Sequence, residues 1–462
     1  MVAIEAISGS TSRPLGKGEQ LWLRLSEASS SNAIFIVSLS GEVDPHRLDR
    51  ALLNATKAFP ILRAHVELGH GVPTLVFSGR CLVPLSVEAR IADNHWKTVA
   101  EEETTRGIHP SEPLLWRARL LQGSDRSDFV LTFNHALTDG ASLQLLVDAI
   151  LRCYAADRDV LERMPPPRCY EDHLDGPSLS RAFARALPGV LLNLFKKKTA
   201  VAAAPLNPNI KPGAKPGTRF VFLDIDRRRS ELLLKAAKAQ RQSLHGILGA
   251  MLLLASRDAM SVRGPTTLAM SFAINVRPKL KGDFSKEVAY FASGFESRFT
   301  LAPDTTIRTL ASQVNQDAKA KFTAENIALG IITKGLILKF KKRGQDLMAA
   351  SARYSKTSLH FTNIGRMMVQ PQYGDLQVLR IRPVPSVHFM NKPIVCLESN
   401  FFNGMLQLTF SYSAPLTDPA YVARLAGRYE ELLNNVLDSG EPQHSTAEQQ
   451  KGKDNVTAEL QP

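Results

Sequence analysis

One short segment combines a histidine, an aspartate and a glycine in a pattern that suits proton transfer. It runs from Asn134 to Gly140 and reads Asn-His-Ala-Leu-Thr-Asp-Gly. An imidazole at the end of a strand can take a proton from a hydroxyl or an amine at neutral pH. We expect Asp139 either to orient the His135 ring or to brace the turn that carries it, and Gly140 to permit a sharp change of direction. The segment therefore predicts general-base chemistry at His135.

The residues on either side of this segment predict the elements that position it. Residues 128–133 alternate apolar side chains as a strand does, and residues 142–154 repeat them at helical spacing. His135 should therefore follow the end of a strand and face a cleft, just before a helix begins.

The pattern resembles the HHxxxDG signature of the coenzyme A-dependent acyltransferase superfamily. Its members include chloramphenicol acetyltransferase, peptide-synthetase condensation domains, plant BAHD acyltransferases, alcohol acetyltransferases and mycobacterial polyketide-associated acyltransferases. His135 matches the second histidine, which is the superfamily's catalytic base, whereas Asn134 replaces the first. BAHD members need only HxxxD. The resemblance implies an α/β fold of two chloramphenicol-acetyltransferase-like sandwich subdomains with a central tunnel, in which Asp139 and Gly140 support the site.

A second segment, Ser271 to Pro278, resembles the Asn-x-Arg stretch of alcohol acetyltransferases and BAHD enzymes. There the arginine pairs with the motif aspartate, which implies an Arg277–Asp139 pair here. A planar guanidinium suits such a pair, because it can bond a carboxylate through two donors. The alternative is that Arg277 lies on the surface before a proline turn. Asn275 is a possible substrate contact.

A third segment, Leu359 to Gly365, resembles the Ser-Asn-x-Gly stretch of the alcohol acetyltransferase and polyketide-associated groups. Thr362 and Asn363, together with Asn134, are possible contacts to the substrate or to a developing oxyanion. Equally, the segment is a turn that uses Asn and Gly for backbone reasons. His360 is a second catalytic candidate by chemistry, but alternation places it on an ordinary strand.

Length and composition predict the domain organisation. A chain of 462 residues suits two domains. We expect an N-terminal subdomain at 1–190, a crossover linker rich in Ala, Pro, Gly and Lys at 191–217, a C-terminal subdomain at 218–437 and a disordered polar tail at 438–462. Within the second subdomain, the patterns predict strands at 220–226 and 405–413 and helices at 229–240, 244–257 and 419–437.

The net charge of +13 favours an anionic partner. Coenzyme A or an acidic acyl carrier protein fits, as does a membrane surface, whereas the absence of a nucleic-acid module argues against nucleic acid. The basic, apolar segment from Lys334 to Arg343 either touches an anionic membrane or coenzyme A phosphates, or is a solvated helix face.

The sequence also predicts the compartment. No apolar run approaches the roughly 20 residues of a membrane span, and Met1 to Lys17 lacks a signal-peptide pattern. Four scattered cysteines form neither a zinc pattern nor a disulfide framework. We therefore expect a cytoplasmic protein without a transmembrane segment.

Several chemistries lack their motifs. There is no phosphate-binding loop, dinucleotide fingerprint, metal-spaced cluster or GxSxG nucleophile elbow. We therefore expect an enzyme that moves an acyl group from an acyl-CoA or carrier-protein thioester to an alcohol or amine, with no metal and no permanently bound cofactor. Two alternatives stay open. One is amide condensation on carrier-bound substrates. The other is a non-catalytic relative that binds an acyl ligand or a partner, which the replacement of the first motif histidine by Asn134 allows.

Overall fold

The computed structural model describes residues 4–6, 11–69, 71–195, 200–262 and 264–438. The strands are β1 Ile4–Ala6, β2 Thr11–Pro14, β3 Asn32–Ser40, β4 Ala64–Glu67, β5 Thr74–Phe77, β6 Arg80–Cys81, β7 Leu85–Ala89, β8 Trp116–Gln122, β9 Arg126–Asn134, β10 Gly217–Ile225, β11 Thr266–Asn275, β12 Ala292–Leu301, β13 Leu359–Arg366, β14 Gln372–Tyr373, β15 Leu376–Pro385, β16 Val395–Phe402 and β17 Met405–Ala414. The helices are α1 Lys17–Ser26, α2 Pro45–Ala58, α3 His95–Thr105, α4 Gly140–Ala156, α5 Gly176–Phe195, α6 Arg227–Ala239, α7 Leu244–Ala259, α8 Ile307–Lys321, α9 Ala324–Phe340, α10 Gly344–Tyr354 and α11 Pro419–Asp438.

Two six-stranded sheets organise the protein. The first has the strand order β14-β15-β3-β9-β8-β7, and the second has the order β10-β17-β16-β13-β11-β12. In the second sheet β11, β13 and β16 run parallel to one another. This is the mixed α/β architecture that the sequence predicts.

The first sheet does not end with the N-terminal part of the chain. β15 pairs antiparallel with β3, so that a strand from far beyond residue 218 completes the sheet that carries β9. The predicted boundary at 218 therefore follows chain order but does not separate the two sheets. Local periodicity predicts a strand at such a position, but pairing partners depend on long-range contacts that periodicity does not encode.

The predicted linker at 191–217 is also more structured than its composition suggests. Helix α5 continues to Phe195, so the first five linker residues are helical. Further along, the Ala202 N–H donates to the Thr267 carbonyl (2.8 Å) and Ala204 is buried. Backbone hydrogen bonds thus hold the segment against the second sheet although it has few large apolar side chains. Of the predicted disordered tail at 438–462, Asp438 is the last residue of α11, and the remainder lies outside the described residues.

The two faces of the second sheet differ in chemistry. Leu406, Leu408 and Phe410 point into a core shared with α6, α7 and α11, as the predicted alternation at 405–413 requires. The opposite face is polar. On that face, Asn400 donates its side-chain N–H to the Ile381 carbonyl of β15 at 3.2 Å. The polar face therefore turns toward the first sheet.

Candidate active site

His135 directly follows β9, and its backbone N–H donates to the Ser31 carbonyl at 3.1 Å. Its ring Nδ1 lies 2.9 Å from the Thr138 carbonyl oxygen. A carbonyl only accepts hydrogen bonds, so Nδ1 carries the hydrogen and Nε2 keeps its lone pair. The local turn therefore holds the imidazole in the tautomer that a general base requires.

Aromatic side chains from distant parts of the chain enclose this imidazole. Trp22 of α1 stacks on the ring, with centroids 4.3 Å apart, and its indole N–H donates to the Tyr290 hydroxyl at 2.9 Å. A Cβ at Gly18 would lie 2.7 Å from the Tyr290 ring, so only glycine fits at this position of α1 without a shift. His135 remains partly exposed, and burial lowers its pKa below the ordinary histidine value. The ring is therefore neutral near pH 7, and its Nε2 is available to accept a proton.

Asp139 braces the turn and does not hold the ring. Its Oδ1 accepts from the Ser142 N–H at 2.8 Å, which caps α4. Its Oδ2 accepts from the Phe291 N–H at 2.8 Å and from Arg277 at 2.9 Å. Both oxygens are thus occupied by groups other than His135, which decides between the two roles predicted for Asp139.

The Arg277 side chain is largely buried beside Asp139, and each of its N–H groups donates to a protein acceptor. Its guanidinium also lies over the Phe291 ring, 4.2 Å from the centroid. The acceptors are the Phe284 carbonyl for Nε, Asp139 and the Asn275 side chain for Nη1, and the Ser142 hydroxyl and Glu287 carbonyl for Nη2. The surface alternative for Arg277 is therefore wrong. The pair joins the start of α4 to the end of β11, 138 residues later in the chain.

Gly140 does not have the role that the sequence predicts. It is the first residue of α4, and its φ lies outside the left-handed region. A Cβ there would lie 3.7 Å from Ile364 Cδ1, an ordinary contact. The change of direction needs no glycine, and the position instead marks where α4 meets β13.

The structure engages the side chain of Asn134 within the protein but leaves that of Asn275 at the surface. Asn134 is fully buried; its amide donates to the Ser26 hydroxyl and the Ile108 carbonyl, both at 2.9 Å, and its oxygen accepts from the Ala136 N–H at 3.0 Å. The exposed Asn275 side chain accepts from the Arg277 backbone at 3.1 Å. Asn134 is therefore structural, because its polar atoms are engaged within the protein, whereas the substrate contact predicted for Asn275 stays a prediction.

The third segment lies beside the histidine motif on β13. Thr362 pairs with Glu398 of β16 in the sheet register. The Asn363 side-chain oxygen accepts from the Gly365 N–H at 3.0 Å and from the Ser399 hydroxyl at 3.2 Å. Asn363 lies at a bulge, where the pairing of β13 with β16 shifts by one residue. The turn-like role predicted for Asn363 thus has a structural basis.

Sequence reasoning missed the aromatic side chains of Trp22 and Tyr290 around His135, and it gave little weight to His360. Trp22 and Tyr290 lie far from His135 in the chain, and no spacing rule connects them to it. Ser142 had a usable signal, because it lies three residues after Asp139, the spacing of a capping bond. His360 shares the interior with His135, and charge on His135 lowers its pKa.

Metal and membrane features are absent from the part of the chain that the structure describes. It contains no group of three or more His, Cys, Asp or Glu side chains that would hold a metal ion. Of the described helices, none has the length and apolar character needed to cross a bilayer. The four cysteines are buried, and none of them forms a disulfide bond.

The basic segment from Lys334 to Arg343 forms the end of α9 and the turn after it. Phe340 is 74% exposed, and Lys341, Lys342 and Arg343 follow it. The Lys334 ammonium is buried without a hydrogen-bond partner, and burial lowers its pKa. The segment is therefore a solvated helix end with one buried cation.

A sequence model of one protein family, the condensation domain, matches residues 21–455. The chain belongs to this family. A nonribosomal peptide synthetase from Curvularia clavata is 21% identical over 410 residues, which are 87% of this chain and 3% of the synthetase. Bacitracin synthase 3 from Bacillus licheniformis is 29% identical over 146 residues, 30% of this chain and 2% of that protein. The condensation-family chain thus spans only a small part of these curated relatives.

Solved structures show the same fold over nearly the whole chain. Trichothecene 15-O-acetyltransferase TRI3 from Fusarium sporotrichioides has a TM-score of 0.72 at 14% identity and covers 94% of this chain and 97% of its own. The epimerization domain of tyrocidine synthetase B scores 0.68 at 14% identity, with 95% and 99% covered. Polyketide synthase associated protein 5 from Mycobacterium tuberculosis scores 0.66 at 14% identity, with 93% and 99% covered. The predicted superfamily and fold class are confirmed.

Proposed function

We propose that this condensation-family protein transfers an acyl group from a thioester to an amine or alcohol, with His135 as the general base. The observation that carries the proposal is the His135 tautomer, which leaves Nε2 unprotonated on a partly exposed ring. Asp139 and Arg277 support the turn that carries His135, Gly140 packs where α4 meets β13, and none of the three takes part in the proton transfer. The proposed reaction is thus a direct acyl transfer under general-base catalysis, without a covalent enzyme intermediate.

In this mechanism Nε2 of His135 accepts the proton of the attacking hydroxyl or amine as that group bonds to the thioester carbonyl carbon. The tetrahedral intermediate then collapses and its C–S bond breaks. The departing thiolate takes up the proton from the imidazolium, which restores the neutral ring. The products are a free thiol and an ester or amide, and no metal or redox cofactor takes part.

We propose a carrier-protein thioester as the donor and not free acyl-CoA, because the family model and the curated relatives are those of peptide synthetases. Amide formation on carrier-bound substrates is then the leading reaction. A second candidate, acyl transfer from coenzyme A to an alcohol, is favoured by the full-length likeness to an O-acetyltransferase structure. The donor in the assay separates the two.

The exposed end of α9 suits an acidic carrier protein. Phe340 offers an apolar contact, and the three cations after it offer charge complementary to acidic side chains. Peripheral contact with an anionic membrane is the competing use of the same residues. Cysteines without disulfide bonds suit a reducing compartment, and we propose the cytoplasm.

The test measures thiol release and acylated product from a carrier-bound thioester and from acyl-CoA, each with pooled amines and pooled alcohols. We expect His135→Gln to lower transfer about 10²–10⁴-fold without altering the melting temperature. His245→Gln is the matched control, because His245 is also largely buried but stacks on Phe361 on the helix-covered face of the second sheet. Full turnover in His135→Gln would exclude the general base, and no turnover with any donor would favour the binding-protein alternative.

A further inference from the structure

A second imidazole shares the interior with His135. His360 lies on β13, where parallel pairing places Ser271 of β11 directly beside it. The side chain belongs to the polar face of the second sheet, which turns toward the first sheet. It is partly exposed, as His135 is. A ring on this face can reach whatever occupies the space between the sheets.

Two contacts place β13 next to the histidine motif. Just after β13, the Met368 N–H donates to the side-chain oxygen of Gln144 on α4 at 2.9 Å. On the strand itself, Ile364 Cδ1 lies 3.7 Å from the Cβ position of Gly140. The strand that carries His360 therefore runs past the segment that carries the base.

The hydrogen bonds of Ser271 bear on the tautomer of His360. The Ser271 hydroxyl lies 2.7 Å from His360 Nδ1 and 3.5 Å from the Leu359 carbonyl. A hydroxyl has one proton, and the 3.5 Å contact is at the limit of a hydrogen bond. The shorter contact favours donation to Nδ1, which corresponds to the tautomer with the ring hydrogen on Nε2. Among the described residues that Nε2–H has no hydrogen-bond partner.

The two histidines thus present opposite chemistry to the same space. His135 offers a lone pair at Nε2, because the Thr138 carbonyl holds its other nitrogen. His360 offers an N–H at Nε2, because a hydroxyl donates to its other nitrogen. Burial lowers the pKa of His360 to about 4, so the ring is neutral at working pH. A neutral imidazole can donate a hydrogen bond to a carbonyl in which negative charge develops.

Asn134, one of the side chains predicted as an oxyanion contact, is already engaged. Both of its amide hydrogens are donated within the protein. The Asn363 side chain accepts from Gly365 and Ser399 at the bulge, through its oxygen alone. His360 and Asn363 are therefore both candidate donors on β13, and His360 is the one whose hydrogen-bond partner, Ser271, bears on which ring nitrogen carries the hydrogen.

We propose that His360 is a second catalytic residue, whose Nε2–H donates to the thioester carbonyl oxygen as it becomes the oxyanion. Ser271 is a positioning residue that fixes the donor tautomer. The proposal rests on the proposed acyl transfer and adds the group that stabilises its transition state. No bond to His360 forms or breaks, so the reaction balances as written above.

The kinetic test compares His360→Leu with His360→Gln in the full chain. Loss of one oxyanion donor costs about 10²–10³ in kcat, so His360→Leu should lose that much with little change in KM for the acceptor. Gln retains an N–H donor and should restore part of the rate. His245→Gln is again the control. Wild-type kcat in His360→Leu would overturn the proposal, as would a larger loss in Thr362→Val than in His360→Leu.

A measurement on the unaltered protein covers the case in which a variant does not fold. Nitrogen-15 chemical shifts of labelled histidine should report Nε2–H for His360 and Nδ1–H for His135, and Ser271→Ala should alter the first alone. An Nδ1–H tautomer at His360 would overturn the proposal. If His135→Gln is inactive while His360→Leu is not impaired, the proposed function stands and this inference fails. If His135→Gln retains full activity, both fail.

Discussion

The histidine motif and the polar face of the second sheet lie opposite each other, yet they satisfy their polar groups very differently. In the motif, Asn134, Asp139 and Arg277 use their side-chain donors and acceptors on protein partners. On the opposite face, Glu398 is buried with one carboxylate oxygen bonded to Ser411 at 2.8 Å and the other without a hydrogen-bond partner. The histidine motif is therefore rigid, whereas the polar face of the second sheet retains a buried polar atom without a hydrogen-bond partner.

The difference teaches where stability and where chemistry reside in this fold. A buried network in which every donor and acceptor is paired holds one geometry. Removing one side chain leaves its hydrogen-bond partners unpaired in a low-dielectric interior. A buried acid without a cation instead changes its protonation, and burial raises the pKa of Glu398 to about 8. Substitutions in the two regions should therefore fail in different ways, the first in stability at all pH values and the second with a strong pH dependence.

The largest effect is expected for Arg277→Ala. It leaves the buried Asp139 carboxylate without its cation, which typically costs about 3–5 kcal/mol of unfolding free energy. Denaturant unfolding of the variant measures the loss. Arg50→Ala is the control, since its partner Asp157 and Arg50 itself are both about half exposed, and it should change little. Equal, small losses in both variants would contradict a stabilising network at the motif.

Asn134→Ala should have the next largest effect. Ser26, Ile108 and Ala136 would each lose a buried hydrogen-bond partner, at a cost of about 1–3 kcal/mol in unfolding free energy. We expect the transfer rate to fall less than in His135→Gln, because Asn134 does not face the substrate. The exposed Asn209→Ala serves as the control. A rate loss as large as that of His135→Gln, in a variant that remains stable, would instead assign Asn134 to the chemistry.

Glu398→Gln should have an effect that is small at low pH and grows as pH rises. The folded-state pKa of Glu398, about 8, lies above its ordinary 4.5, so the folded protein binds this proton more tightly. The associated stability is present below the ordinary pKa and is lost as pH rises through about 8. Gln cannot ionise, so the variant should gain on the wild type by up to about 1.4 kcal/mol per pH unit within that window.

Unfolding free energies measured at pH 5 and pH 7 for both proteins check this prediction. The exposed Glu42→Gln is the control and should show no such divergence. A difference between Glu398→Gln and wild type that stays constant with pH would mean that Glu398 does not titrate in this window. The contrast between the two regions would then reduce to their hydrogen bonds.

Patterns close in the sequence predicted much of the fold and the centre of the site. Apolar alternation before His135 and helical spacing after it correctly predicted β9 and α4. The same periodicities placed β10, α6, α7, β17 and α11, because each depends on a repeat of 2 or 3.6 residues within one element. The family resemblance added the Arg277–Asp139 pair, which joins residues that no local pattern connects.

Other features needed contacts between distant elements. Membership of β15 in the first sheet, the Trp22 ring on His135 and the saturation of Asn134 all depend on partners far along the chain. The role of Gly140 was predicted wrongly, since the backbone there is helical and the position matters for its packing against β13.

The sequence by itself determined the element types, the fold class, the superfamily and the histidine motif, because these depend on residue type and short spacing. Tertiary structure alone decided which polar atoms are already engaged and which remain available. Asn134 and His360 show this best, since a sequence reader would rank the first above the second. A side chain can act on a substrate only if the folded protein has not already used its donors and acceptors, and hydrogen-bond partners are assigned only when distant strands and helices meet.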